Sequence, residues 1–210
     1  MPVPHAIALR FPLSRAEVRV LARAKLPSRH GEFEILSFCD SAGRPLDDVA
    51  LIRGDVRGAE ELDTRVHSEC LTGDVFGSYR CDCRAQLELA LSRVAGSARG
   101  VILYMRQEGR GIGIANKIRA YALQEAGLDT VDANRHLGFD DDMRDYSVAA
   151  AMLQAMEVRS VVLHTNNLLK VEGLQNGGVA VARREPIVTP PRAENARYLS
   201  TKRDRSGHLL

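Results

Sequence analysis

The chain has 210 residues, 45% of them hydrophobic, and sets 29 Lys and Arg against 27 Asp and Glu for a formal net charge of +2. That apolar content suffices for one substantial core, and the near balance of charge argues against a protein that grips nucleic acid by bulk electrostatics. Aromatic residues are 5% with no Trp, which leaves few platforms for stacking single strands, and no apolar run approaches the roughly 20 residues that span a bilayer.

Residues 1–17 read as a loosely ordered N-terminal extension, since the first sixteen hold three of the eight prolines and no periodic pattern. This start lacks the charged beginning and long apolar stretch of a signal peptide, so a cytoplasmic location is expected. From residue 18 to residue 210 there is no linker, low-complexity segment or internal repeat, which predicts a single domain. Short apolar runs at Glu34–Phe38, Val49–Arg53, Val101–Met105, Ser160–His164 and Val179–Arg183 read as strands, several buried on both faces. Between them, helical spacing of apolar residues marks Arg84–Ala98, Ile112–Ala126 and Tyr146–Met156. The alternation predicts an α/β fold, layered α/β/α with a mixed central sheet and a strand-rich N-terminal third.

Three of the four cysteines are clustered: Cys70, then ten residues, then Cys81 and Cys83 flanking Asp82 at the start of a predicted helix. In a reducing compartment such a cluster reads as metal ligands rather than a disulfide framework. Thiolates select zinc or iron–sulfur chemistry, iron–sulfur clusters generally need four cysteines, and a zinc held by three protein ligands keeps a position open for water. By spacing alone the cysteines also fit small buried apolar side chains, and Cys39 or His67 could close the site as a fourth ligand. Cys39, beside the apolar run ending at Phe38, reads more simply as core. The preceding stretch, as a strand, sends Arg65, His67 and Glu69 to one side.

After the strand ending at Met105 comes Arg106-Gln-Glu-Gly-Arg-Gly-Ile-Gly113 and then a helix. Glycines at such a junction let backbone N–H groups approach an anion, although the spacing matches neither a Walker loop nor a dinucleotide fingerprint. Arg106, Arg110, Lys117 and Arg119 add positive charge suited to a polyphosphate carried with magnesium. A tight turn with solvated basic residues accounts for the same pattern. Lys117 and Tyr121, four apart, share a side of the helix.

Taken together, Arg65-Val-His-Ser-Glu-Cys-Leu-Thr-Gly-Asp74, Arg80-Cys-Asp-Cys83, the glycine turn, Asn116–Gln124, Asp129-Thr-Val-Asp-Ala-Asn134 and Thr165-Asn-Asn167 resemble GTP cyclohydrolase II over roughly residues 18–210. The resemblance implies a hydrolase acting on the cyclic amidine of guanine. It also implies one zinc ion on Cys70, Cys81 and Cys83, magnesium with the triphosphate, and a homodimer, with no nucleic-acid or membrane partner. It further implies GTP contacts at Arg65, Val66, His67, Ser68, Glu69, Gln86, Glu108, Gly109, Arg110, Thr130, Thr165 and Lys170. Asp142 and Arg144 match the family's proton acceptor and nucleophile, and Tyr121 a tyrosine used in ring opening. Some relatives stop at a formylated intermediate; they replace the tyrosine that this chain keeps. Two departures stand out: Leu168 follows Thr-Asn-Asn where the family usually has proline, and Arg84 follows Cys83 where it usually has glycine.

The implied reaction needs a nucleophilic water at neutral pH. Zinc lowers the pKa of bound water to ~7 in favourable cases, and three thiolates, which donate strongly, leave it higher, so Glu69 or His67 is expected as a base. A guanidinium with pKa above ~12 has no free lone pair, so charge stabilisation by Arg144 asks less of the chemistry than direct attack on phosphorus. The competing reading from another class, a guanine-nucleotide sensor with a closed structural zinc, predicts loss of Asp142, Arg144 or a cysteine; all are present.

Overall fold

The computed structural model describes residues 17–205 together with Gly207 and Leu209. The extension expected at residues 1–17 therefore lies, apart from Glu17, outside the described residues. Among the described residues seven strands form one mixed sheet: β1 (Arg19–Ser28), β2 (Gly31–Cys39), β3 (Pro45–Arg53), β4 (Leu62–Ser68), β5 (Gly100–Met105), β6 (Ser160–His164) and β7 (Ala180–Glu185). Their order is β1-β2-β3-β5-β4-β6-β7. Neighbours from β1 through β5 pair antiparallel, while β5, β4, β6 and β7 are parallel.

Parallel neighbours need crossovers, and helices supply them. α1 (Cys83–Gly96) links β4 to β5, and α2 (Gly113–Glu125), α3 (Thr130–His136) and α4 (Ser147–Ala155) intervene before β6. α5 (Leu168–Asn176) precedes β7, and α6 (Ala196–Arg205) follows it. Side chains alternate across the sheet, so successive residues of β5 enter different cores. Val101 and Leu103 join Val66 of β4 and Ala149, Met152 and Leu153 of α4, whereas Ile102 packs with Ala90 and Val94 of α1. Helices thus cover both faces, the layered α/β arrangement that the alternation predicts.

The expected strands correspond to β2, β3, β5, β6 and β7, the last running on to Glu185. The expected helices are α1, α2 and α4: α1 begins one residue earlier and ends two earlier than expected, and α2 and α4 are each shorter by one residue at both ends. Cys39 ends β2 as a buried residue, 5% exposed, in keeping with its reading as core. β1, an edge strand with almost every residue exposed, offers no apolar alternation and was not expected. Where Leu168 stands in place of the family's proline, Asn167 caps α5 instead: its side-chain oxygen accepts from the Leu169 N–H at 3.0 Å.

The topology also creates the site. The chain leaves β4 for β5 on one side and later returns to β6 on the other, so the loops beyond the carboxyl ends of these strands diverge and leave a crevice. Glu69 and Cys70 after β4, Gln107 and Glu108 after β5, and Thr165 to Asn167 after β6 all line one cavity of about 320 Å³, within the range of small-molecule sites.

Candidate active site

A tight helical turn, Leu71–Val75, folds the chain back after Cys70 and brings Cys70 to Cys81 and Cys83 at the start of α1. Their sulfurs all lie within 4.8 Å of one another, Cys70 and Cys81 at 3.6 Å, and all are free thiols. Gly73 makes this approach possible: a Cβ there would sit 2.8 Å from the Cys81 sulfur and 3.1 Å from that of Cys70. Hydrogen bonds from Cys81 and Cys83, with Lys117 nearby, push the Cys70 thiol well down. Sharing with Cys70 raises Cys81 to about 11 and lifts Cys83 well above the usual thiol range, burial adding to both. One thiolate is therefore stabilised while three together repel, and a soft divalent cation would relieve that repulsion. The donor set fits a metal ion. Among the described residues no fourth ligand joins the group: His67 Nε2 is engaged 3.0 Å from Asp74.

β4 carries Arg65 and His67 on one face, and Glu69 follows at the strand's end, as the alternation predicts. Arg65 donates to the His164 carbonyl at 2.8 Å and to Gln86 Oε1 at 2.7 Å, and burial lowers its pKa to about 10. His67 stacks on Tyr104 with ring centroids 5.5 Å apart, and burial, only partly offset by Asp74, keeps it neutral. Burial raises Glu69 although Arg106 donates to it at 2.7 Å. Ser68 accepts from Gln107 at 2.9 Å. Arg65 Nε, His67 Nδ1 and Gln107 Oε1 are buried with no hydrogen-bond partner among the described residues, so the wall holds polar atoms that a ligand would satisfy.

The glycine turn takes a left-handed path through Gly109 and Arg110, both at φ near +63°, an uncommon conformation for arginine. Gly111, at φ +92°, approaches so closely that a Cβ would meet the Met143 carbonyl oxygen at 3.0 Å. The Met143 N–H donates to the Arg110 carbonyl and the Arg110 guanidinium to the Asp141 carbonyl, which fastens the 140–144 segment to the turn. Glu108 accepts from the Leu71 N–H at 2.7 Å and from Lys117 at 2.8 Å. Lys117 also reaches 3.1 Å from the Cys70 sulfur. Tyr121, one turn further along α2, has its hydroxyl 3.2 Å from Thr72 Oγ1 and its ring under Arg80 at 4.6 Å. Of the four cations expected around a polyphosphate, Arg110 and Lys117 line the cavity; Arg106 turns to Glu69, and Arg119 to Asn116.

Arg144 lines the cavity with Asp142 behind it, Nε to Oδ1 at 2.8 Å. Gln86, Thr130 at the start of α3, Thr165 and Lys170 also line the cavity. Lys170 is buried, its ammonium donating to the Val66 carbonyl at 2.7 Å, and burial depresses its pKa. Asp142 and the Val66 side chain do not reach the wall; Val66 is wholly buried in the larger core. Arg84, the cation in place of the family's glycine, pairs with Glu88 and donates to the Asp74 carbonyl.

Sequence reasoning missed several groups. Asp74 accepts from the Cys70 N–H, from Tyr104 and from His67 through one carboxylate oxygen. Asp82 pairs with Lys202 at 2.7 Å, and α6 brings Tyr198, Thr201 and Lys202 to the cavity. Asp74 and Asp82 lie inside matched motifs, which was the available signal; α6 has none, because only the fold brings it back to the cysteines.

A family model described as GTP cyclohydrolase II matches residues 18–186. The chain belongs to the GTP cyclohydrolase II family. It is 48% identical over 194 residues to GTP cyclohydrolase-2 of Proteus mirabilis, covering 92% of this chain and 97% of that one. It is 49% identical to riboflavin biosynthesis protein RibBA of Bacillus cereus and 51% identical to that of Mycobacterium bovis, covering 90% of this chain in each case but 47% and 46% of theirs. The chain thus spans about half the length of those curated relatives. Among the described residues no helix is long and apolar enough to cross a membrane.

Proposed function

We propose that the chain hydrolyses GTP, opening the guanine imidazole ring with release of formate and pyrophosphate to give 2,5-diamino-6-(5-phosphoribosylamino)pyrimidin-4-one, the first step of riboflavin formation. The observation that carries this reading is the meeting of three cysteine sulfurs with Tyr121, Glu108, Arg144 and Lys170 on one cavity, in a chain of this family. Cys70, Cys81 and Cys83 would hold a zinc ion, which supplies Lewis acidity that makes water nucleophilic near neutral pH.

The chain's own residues then divide the work. Glu108, fixed by the Leu71 N–H and Lys117, presents a carboxylate suited to the N–H groups of guanine. Glu69, its pKa raised by burial, accepts the proton of the attacking water, while His67 is held neutral as a positioning wall. Tyr121 orients the opened formamide for the second hydrolysis, which frees formate. Water is consumed at each carbon–nitrogen cleavage and once more at phosphorus. There Arg110 and Arg144 stabilise charge on the transferring phosphoryl group, and magnesium brought with the triphosphate would neutralise part of its charge. Asp142 keeps Arg144 charged and aimed.

The implied homodimer and cytoplasmic location belong to this same reading, the latter supported by four unpaired thiols. One assay tests the whole: formate and pyrophosphate should appear together from GTP and magnesium, and a zinc chelator should abolish formate. A mass spectrum showing only a formylated pyrimidine would assign the incomplete reaction instead. Binding of GTP without turnover would assign a sensor.

A further inference from the structure

The matched family region ends at residue 186, yet Glu194, Tyr198, Thr201 and Lys202 line the cavity. We propose that α6 is a working wall of the nucleotide site, with Lys202 as the positioning residue that straps it onto Asp82, between two of the three cysteines. The proposal rests on the reading of this cavity as a GTP site and adds to it a part of the chain which that reading leaves unused.

The strap is fastened at separate places around the cavity. Arg192, just before α6, stacks on the Tyr79 ring of the cysteine loop at 4.5 Å. Lys202 Nζ donates to Asp82 Oδ1 at 2.7 Å, with both side chains buried. Arg205 pairs with Asp129 and Asp132 at the start of α3. The Leu209 N–H donates to the Asn166 carbonyl at 2.9 Å. Cysteine loop, α3 and the loop after β6 each supply cavity wall, so one short segment bridges three walls.

The Lys202–Asp82 pair also continues inward. Asp82 Oδ2 accepts from Gln86 at 2.6 Å, Gln86 accepts from Arg65 at 2.7 Å, and Arg65 donates to the His164 carbonyl at 2.8 Å. Lys202, Gln86 and Arg65 in this chain of hydrogen bonds all line the cavity. A nucleotide that settles Gln86 and Arg65 therefore settles Asp82 and, through Lys202, α6. The reverse also holds, since linkage is reciprocal. α6 has the sequence Ala-Arg-Tyr-Leu-Ser-Thr-Lys-Arg-Asp-Arg, so polar ties rather than an apolar stripe hold it. Such an element opens at lower cost than the sheet core, and a bound nucleotide would shift it toward the closed state.

The test uses full-length, zinc-loaded protein and a GTP analogue with a methylene bridge between the α and β phosphorus atoms. Amide hydrogens of residues 196–205 should exchange about tenfold more slowly with the analogue bound. Lys202→Met should weaken analogue binding roughly tenfold or more, and Lys202→Arg should recover most of that loss. The neutral double variant Asp82→Asn/Lys202→Met should regain thermal stability without regaining affinity, which a purely structural pair would not do. Zinc content, measured on each variant, separates loss of metal from loss of closure. If Lys202→Met does not fold, Arg205→Gln serves: it should speed exchange in α6 and weaken binding about twofold. Analogue binding by wild type with α6 exchange unchanged, or full affinity in the double variant, overturns the proposal alone. Failure of wild type to bind the analogue overturns the GTP reading and this inference with it.

Discussion

Arg144 donates to Asp142 through Nε at 2.8 Å and through a second, parallel N–H contact. Burial works against charge on either group, yet their mutual hydrogen bonds hold the Asp142 carboxyl below its ordinary range and raise Arg144 above its own. Transfer of the Arg144 proton to Asp142 would thus run against both shifts. The pair is built to stay charged. Arg144→Lys keeps the charge and loses the planar fork, so pyrophosphate release should fall by ~10³ or more. Turnover of GTP labelled at the α phosphorus, quenched in alkali, should leave no label on the protein; recovery of label on Arg144 would make it a nucleophile.

Tyr121 offers a hydroxyl and a face, and one substitution separates them. In Tyr121→Phe the ring still lies under Arg80, so KM for GTP should change by less than about threefold. Loss of a proton-handling hydroxyl should slow formate release by ~10². A rise in KM with unchanged kcat would instead mark the hydroxyl, bonded to Thr72, as structural.

Gly73 is the smallest lever on the proposed metal site. The methyl of Gly73→Ala would press on two sulfurs and on the Cys83 Cβ, spreading the ligand triangle. Zinc affinity should drop roughly tenfold or more, as read by competition with a chromogenic chelator. The far-UV circular dichroism should stay unchanged, because Gly73 lies outside the sheet. Wild-type affinity in this variant would mean that the sulfurs have room the structure denies them.

Below the cavity, His164 Nε2 meets Asp63 at 2.9 Å, and Ser97 donates to the same carboxylate at 2.7 Å. Burial pushes the Asp63 pKa up, but these hydrogen bonds outweigh it and leave it below 3.8. A carboxylate with a depressed folded-state pKa adds its full stability above the unfolded value and surrenders it as pH falls through the folded one. The stability gap between wild type and Asp63→Asn should accordingly be flat near neutrality and shrink below about pH 4. Urea titrations at several pH values measure it, and a gap that widens toward acid would reverse the assignment.

How much of this was legible in the sequence depended on what kind of signal each part leaves. β5 and β6 announce themselves as apolar runs because both of their faces are covered. β1 does not, since an edge strand written Arg-Val-Leu-Ala-Arg-Ala-Lys-Leu-Pro-Ser has no buried face to enforce alternation. α3 and α5 are short and α6 is mostly polar, so contacts with other elements rather than internal periodicity define them. Within the site, Arg65, His67, Glu69 and the cysteines were readable because local spacing already puts them together. Lys202 on Asp82 and Lys170 on the Val66 carbonyl span more than a hundred residues, and no local pattern encodes such pairings.

The placement of β4 in the middle of the sheet, hydrogen-bonded on both sides, has a bearing on durability. A slip of one residue in that strand would turn Thr64 and Val66 toward the cavity and drive Arg65 and His67 into the apolar core. Chemistry here is therefore indexed to strand pairing, and it cannot drift gradually as it can in a pocket assembled wholly from loops. Melting of the sheet should therefore abolish turnover outright, beyond whatever is lost earlier as α6 opens.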